Sequence, residues 1–275
     1  MDFLEMLKAL LFGIVQGITE WLPISSTGHL ILLDEFLRLD VSPEFWEMFT
    51  VVIQLGSIIA VLVLYFNRLN PFSKRKSAAE QKATYTLWLK ILVAAIPAGI
   101  VGILLDDFLN AVFYNYITIA VALIVYGVLF IVIENWNKHK KPQFATANDI
   151  TYKGALYIGL YQMLSLIPGT SRSGSTIVGG MLTGASRTAA AEFSFFLAIP
   201  VMFGASFLKI VKYGFSYATN EIIILAVGMV TAFAVSIFAI RFLLNHIRRH
   251  DFKLFGWYRI ALGVCVVGYF LLKVL

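Results

Sequence analysis

Two stretches decide the fold: Gln16–Gly28, QGITEWLPISSTG, and Gln162–Gly174, QMLSLIPGTSRSG. Each runs from a glutamine through apolar residues to a proline, then into a Ser/Thr cluster and a glycine. Each also sits inside a longer apolar region, from Phe3 to Leu39 and from about Ile150 to Gly184. A proline removes a backbone donor and ends a helix. Hydrocarbon cannot satisfy the polar groups so freed. Such breaks must therefore be buried in protein or line a wet cavity. Their arms are too short for two full crossings, so each region reads as a re-entrant helical hairpin.

The rest of the chain supplies the membrane. Of 275 residues, 59% are hydrophobic and 14% charged, against about 45–50% and about 25% in a soluble domain. A crossing helix needs about 20 apolar residues. Six stretches qualify: roughly 45–66, 86–105, 112–134, 188–211, 221–244 and 255–275. The expectation is an all-α polytopic membrane protein, one integral domain over residues 1–275. Its internal repeats are about 1–137 and 150–275, each a hairpin plus three spans. Ala95-Ile96-Pro97-Ala98 and Ala198-Ile199-Pro200-Val201 look like a second trace of the duplication. Three spans is an odd number, so the second repeat is inverted and one hairpin enters from each side. Inverted repeats with broken central helices point to a site at the midplane.

The net charge of +6 fits this topology better than nucleic-acid binding, because basic residues collect in cytoplasmic loops and no basic face carries stacking aromatics. The basic clusters are Arg68 to Lys82, Lys138 to Lys153, and Arg241 to Lys253. The six-span count places all three on the cytoplasmic face. Asp34, Glu35, Asp40, Glu44, Glu47, Asp106 and Asp107 fall on the other, with Lys209 and Lys212 as exceptions. Cys265 is the single cysteine, so no internal disulfide forms. Asp2 and Glu5 stand where a signal peptide would carry cations, so the N-terminus reads as mature sequence. Gly179, Gly180 and Gly184 allow close helix packing, compatible with a homodimer.

The polar residues of the breaks carry the chemistry. Gln16 and Glu20 share one helix face, and a carboxylate in an apolar run is expensive and usually functional. Ser25 or Ser26 caps the helix that follows Pro23. His29, in its first turn, suits a neutral imidazole able to act as base. Arg172 needs an anionic partner, either phosphate oxygens or the carboxylate of Glu20. Gly169, Ser171, Ser173, Gly174 and Thr176, with Ser25 and Thr27, offer amides and hydroxyls beside two helix N-termini, an anion site by construction. A lipid-linked phosphate or pyrophosphate is the matching ligand. Glu20 would repel it unless a divalent cation, Mg²⁺ or Ca²⁺, stands between them.

These motifs resemble the bacterial undecaprenyl-pyrophosphate phosphatases of the BacA/UppP type over essentially the whole chain. The resemblance rests on Gln16–Glu20, on Pro23-Ile24-Ser25-Ser26-Thr27-Gly28-His29 and on Pro168-Gly169-Thr170-Ser171-Arg172-Ser173-Gly174. Phe49–Ser57 and Ala191–Phe195 also look like family segments. The resemblance implies hydrolysis of undecaprenyl pyrophosphate to the monophosphate in the plasma membrane, recycling of the carrier for peptidoglycan synthesis, and bacitracin resistance. It implies a site open to the periplasmic side. Gln16 stands where many members have Glu, which leaves metal binding more to Glu20. The mechanistic expectation is Ser26 as nucleophile with His29 as its base, His29 or water being the alternative nucleophiles, and Arg172 stabilising transferred charge. The membrane lipid phosphatases of the acid-phosphatase type need a His following their S-R element as nucleophile, and Ser173-Gly174-Ser175-Thr176-Ile177-Val178 after Arg172 hold none, which weighs against that reading. A polyprenyl-phosphate transporter or flippase would use the same anion site without hydrolysis.

Overall fold

Long apolar runs form long helices here because every backbone donor and acceptor must be paired within its own segment. A computed structural model of the chain describes residues 3–113, 115–214 and 217–274. Asp2 and the side chains of Asp106 and Asp107, noted above for their charge, lie outside the described residues. Among the described residues there is no β-sheet, only a single bridge between Phe144 and Ala185.

The first break separates α1 (Phe3–Thr19) from α2 (Ser26–Phe36); α3 (Pro43–Leu64) and a one-turn α4 (Phe66–Leu69) follow. Then come α5 (Ala78–Phe113) and α6 (Tyr116–Asn137). The second break separates α7 (Tyr152–Met163) and its 3₁₀ turn Leu164–Leu166 from α8 (Arg172–Leu182). The chain closes with α9 (Arg187–Tyr213), α10 (Thr219–Ile247) and α11 (Lys253–Val274). Helices α3, α5, α6, α9, α10 and α11 are long and apolar enough to cross a membrane. The protein is a multi-pass α-helical membrane protein.

The spans match the six sequence stretches within a few residues, except at α5. That helix starts eight residues before residue 86, because Ser77 and Glu80 form a reciprocal capping box: Ser77 N–H donates to Glu80 Oε2 (2.7 Å) and Glu80 N–H to Ser77 Oγ (3.3 Å).

The packing pairs the two halves crosswise. The first arm of each broken segment lies on the second long helix of the other half: α1 on α10, α7 on α5. Helix α3 packs on α9, and α6 on α11. Pro97 lies in α5 and Pro200 in α9. These helices differ in rank after their breaks, so the two Ala-Ile-Pro segments do not share a register.

Two of the glycines expected to allow close helix packing do so within the chain. A Cβ on Gly179 would stand 2.7 Å from Tyr161 Cβ, and one on Gly180 would stand 2.8 Å from Ala190 Cβ.

The basic loops meet at one end of the bundle. Arg68 pairs with Glu192 near the start of α9 (2.7 Å). Lys90 donates to Asn148 O, and Gln143 N–H to Gly184 O (both 2.8 Å). Phe252 N–H, ahead of α11, donates to Glu134 near the end of α6 (2.9 Å). Lys209, at the other end of α9, pairs with Glu47 near the start of α3.

Candidate active site

Both breaks are built the same way. Ser25 and Ser171, the residues before α2 and α8, have φ of 75° and 73°. They are the two positive-φ residues other than glycine among those described, and such backbone costs on the order of 1–3 kcal/mol. Each serine offsets part of that cost as an N-cap. Gly28 N–H donates to Ser25 Oγ (3.3 Å) and Gly174 N–H to Ser171 Oγ (3.1 Å). The next amides of each helix, in its first turn, have no intrahelical acceptor. Two electropositive helix ends therefore converge.

They converge on one cavity of about 160 Å³. Ser25, Ser26 and Thr27 line it from the first break, Gly169, Ser171 and Arg172 from the second, and Glu20 lies between them. Gln54 of α3 and Ser165 of the 3₁₀ turn complete its polar wall.

Glu20 is the centre of the hydrogen-bond network, with 3% of its surface exposed. Its Oε1 accepts from Arg172 Nη2 (2.8 Å). Its Oε2 accepts from Gln16 Nε2 (2.9 Å) and Ser26 Oγ (2.8 Å). The partner expected for Arg172 is thus a carboxylate as well as a cavity wall. Arg172 Nη1 donates to Ser194 O (2.9 Å) and Ser194 Oγ (3.1 Å) of α9, its guanidinium lies over Trp21, and its Nε is buried without a partner. Removing both charges from water is costly, and the four bonds around them are what make the pair tenable.

Several sequence candidates turn away from the cavity. Ser173 donates to Glu20 O (3.1 Å) and Leu22 O (3.3 Å), tying the second break to the first. Gly174 allows close approach: a Cβ there would lie 3.2 Å from Ser171 Cβ and 3.4 Å from Arg259 Nη1. Thr176 lies behind Arg172, its Oγ1 2.6 Å from Ser194 Oγ.

His29 is also directed elsewhere. Its Nδ1 donates to Ser25 O (2.7 Å), which leaves Nε2 as acceptor for the Tyr258 hydroxyl (2.7 Å). The two rings are parallel within 4°. Its one lone pair therefore faces α11. The group in contact with Ser26 Oγ is Glu20, not His29.

Sequence reasoning missed Arg259. It is fully buried. Its guanidinium donates to Pro23 O (3.1 Å) in the first break and to Gly169 O (2.8 Å) and Thr170 O (3.1 Å) in the second. Weaker bonds reach Ala122 O (3.3 Å) and Leu123 O (3.4 Å) of α6. One cation thus fastens both breaks together. Its signal was present, since it is an arginine within the apolar stretch 255–275, where a charge marks function by default.

A divalent cation fits the donor set. Gln16 Oε1 is buried beside Glu20 without a partner, and Glu20, Gln16 and Ser26 are the hard oxygen donors that Mg²⁺ and Ca²⁺ prefer. Among the described residues no group of three or more His, Cys, Asp or Glu could hold a metal, so a cation here would draw further oxygens from substrate and water.

Residues 9–265 match the family described as "Bacitracin resistance protein BacA". The chain belongs to the BacA family. An Undecaprenyl-diphosphatase of Enterococcus faecalis is 58% identical over 274 residues, 98% of this chain and 99% of the relative. One from Acetivibrio thermocellus is 60% identical over 268 residues, 98% of each. Undecaprenyl-diphosphatase 1 of Clostridioides difficile is 56% identical over 271 residues, 98% of each. In this BacA member the two breaks lie within the matched residues, and the first-turn residues that follow them meet in one cavity.

Proposed function

We propose that this chain hydrolyses undecaprenyl pyrophosphate to undecaprenyl phosphate and inorganic phosphate, recycling the lipid carrier for peptidoglycan synthesis and conferring bacitracin resistance. The observation that carries the reading is the convergence of two helix N-termini, Arg172 and Glu20 on one cavity inside a membrane bundle. Family membership and the names of the relatives support the same activity.

The pyrophosphate would sit between the first turns of α2 and α8, with its lipid leaving the cavity toward the bilayer. Arg172 and the adjacent amides bind its oxygens and stabilise charge in transfer. Glu20 and Gln16 would hold a Mg²⁺ or Ca²⁺ ion. When bound, such an ion neutralises phosphate charge beside the carboxylate. Ser26 Oγ attacks the terminal phosphorus, its proton passes to Glu20 Oε2, and the anhydride bond breaks with the electron pair on undecaprenyl phosphate. Water then cleaves the phosphoserine and releases phosphate. His29 is a positioning residue that holds the Ser25 carbonyl at the strained cap.

The cavity opens on the periplasmic side in this reading. The basic end is cytoplasmic by the positive-inside rule. Ala205 lines the cavity about 27 Å along α9 from its basic start at Arg187. The crosswise pairing of α1 with α10 and α7 with α5 supports two inverted repeats with re-entrant hairpins.

The test is phosphate release from undecaprenyl pyrophosphate by the purified chain in detergent, with Mg²⁺, Ca²⁺ or chelator, beside Arg172→Ala and Ser26→Ala. Cation-dependent release abolished by both supports the serine mechanism. Loss with Arg172→Ala alone assigns attack to water. No release from folded protein reassigns the cavity to binding and transport.

A further inference from the structure

A second cavity, rich in cations, lies where the basic loops meet. A cavity of about 560 Å³ is lined by Lys138, Lys140, Lys141, Arg187, Arg248 and Trp136, among others. These cations come from three separate places, the segment after α6, the first residue of α9 and the segment after α10. No Asp or Glu lines the cavity. Arg187 is held bidentate by Glu134 from behind (2.9 and 2.5 Å), with Asp251 near it. Lys138, Lys141 and Arg248 line the cavity with no acidic residue among its walls, and Lys140 Nζ lies over the Trp136 ring at its rim, 2.8 Å from the centroid.

The cavity continues onto an apolar face. Trp136 on its rim is exposed, and so are Val132, Val128, Val125 and Val121 of the same helix. Their spacing of three or four residues makes one stripe along α6. It runs about 22 Å, more than the ~15 Å that one leaflet of hydrocarbon occupies. Helix α11 packs on α6 but leaves this stripe bare. A cationic pocket that empties onto a lipid-facing stripe is complementary to a molecule with an anionic head and acyl chains.

We infer that this pocket is a binding site for an anionic phospholipid of the leaflet facing the basic loops, with its phosphate among Lys138, Lys140, Lys141 and Arg248 and its chains on the α6 stripe. The site is separate from the hydrolytic cavity. The triple variant Lys138→Gln, Lys140→Gln, Lys141→Gln changes exposed loop side chains and touches nothing in the hydrolytic cavity.

The purified full chain in phosphatidylcholine nanodiscs, with and without phosphatidylglycerol, provides the assay. Retained lipid is counted by native mass spectrometry and thermal unfolding is followed in parallel. Phosphatidylglycerol should be retained over phosphatidylcholine and raise the unfolding temperature. The triple variant should lower that preference on the order of 100-fold, about fivefold for each ammonium. A control variant, Lys74→Gln, Arg75→Gln, Lys82→Gln, removes as much charge from the α4–α5 connection and the start of α5 and should keep the preference. Equal loss in both variants would make the attraction diffuse and overturn the site. Equal stabilisation by inorganic phosphate without anionic lipid would make it a free-anion site and overturn the lipid assignment, as would the absence of any phosphatidylglycerol preference.

Discussion

Glu20 and Arg172 can be separated from their partner and from their chemistry in one double-mutant cycle. The pair is buried, with side-chain exposures of 2% and 10% at 2.8 Å. Glu20→Gln leaves the guanidinium without a counter-charge, and Arg172→Met leaves the carboxylate on Gln16 and Ser26 alone. Removing one member of such a pair costs about 3–5 kcal/mol. The double variant removes both desolvated charges, so most of that cost should return, with a coupling energy of about 2 kcal/mol or more. Turnover should behave differently. Loss of a preorganised donor costs on the order of 10²–10³ in kcat, and the double variant should stay at the level of the worse single. The assays are unfolding in a fixed detergent and phosphate release from undecaprenyl pyrophosphate. Stability within about 0.5 kcal/mol of the parent for both singles would refute the ion pair. Turnover restored in the double variant would show that the pair is scaffold and that the phosphate-binding role is wrong.

Arg259→Met should lower kcat by about 10²-fold through misalignment of the two breaks, although the residue touches no substrate; a KM change with kcat unaltered would refute the tether. His29→Asn keeps an amide donor for Ser25 O and should recover activity lost in His29→Ala; a pH–rate profile that loses its acidic limb in His29→Asn would instead make His29 the base. Ser171→Gly should be near neutral in thermal unfolding, since glycine accepts φ of 73°. Ser171→Ala should cost about 1 kcal/mol, the value of the lost cap, and the reverse order would refute the strain argument. Gly56→Ala should destabilise by about 1–3 kcal/mol, because its Cβ would stand 2.1 Å from Met229 O, whereas Gly204→Ala meets nothing within 4 Å and should be neutral or stabilising.

The sequence by itself determined the spans, the two breaks and most of the polar residues that line the cavity. Those signals are local: apolar run length, a proline that ends a helix, and serines that cap the next one. Its charge pattern also placed the basic loops at one end, because charge sorting acts on loops rather than on contacts. The role of each polar side chain was not legible, because residues one or two positions apart on a first turn point in different directions. Ser26 meets Glu20, while Ser173 and Thr176 turn inward and His29 turns to Tyr258. Only the tertiary structure decided that Arg172 closes on Glu20 across 152 positions and that Arg259, from the last helix, fastens both breaks. A buried cation is held by whatever carbonyls the packing leaves unpaired, and those carbonyls exist only once two distant helices have been broken and brought together.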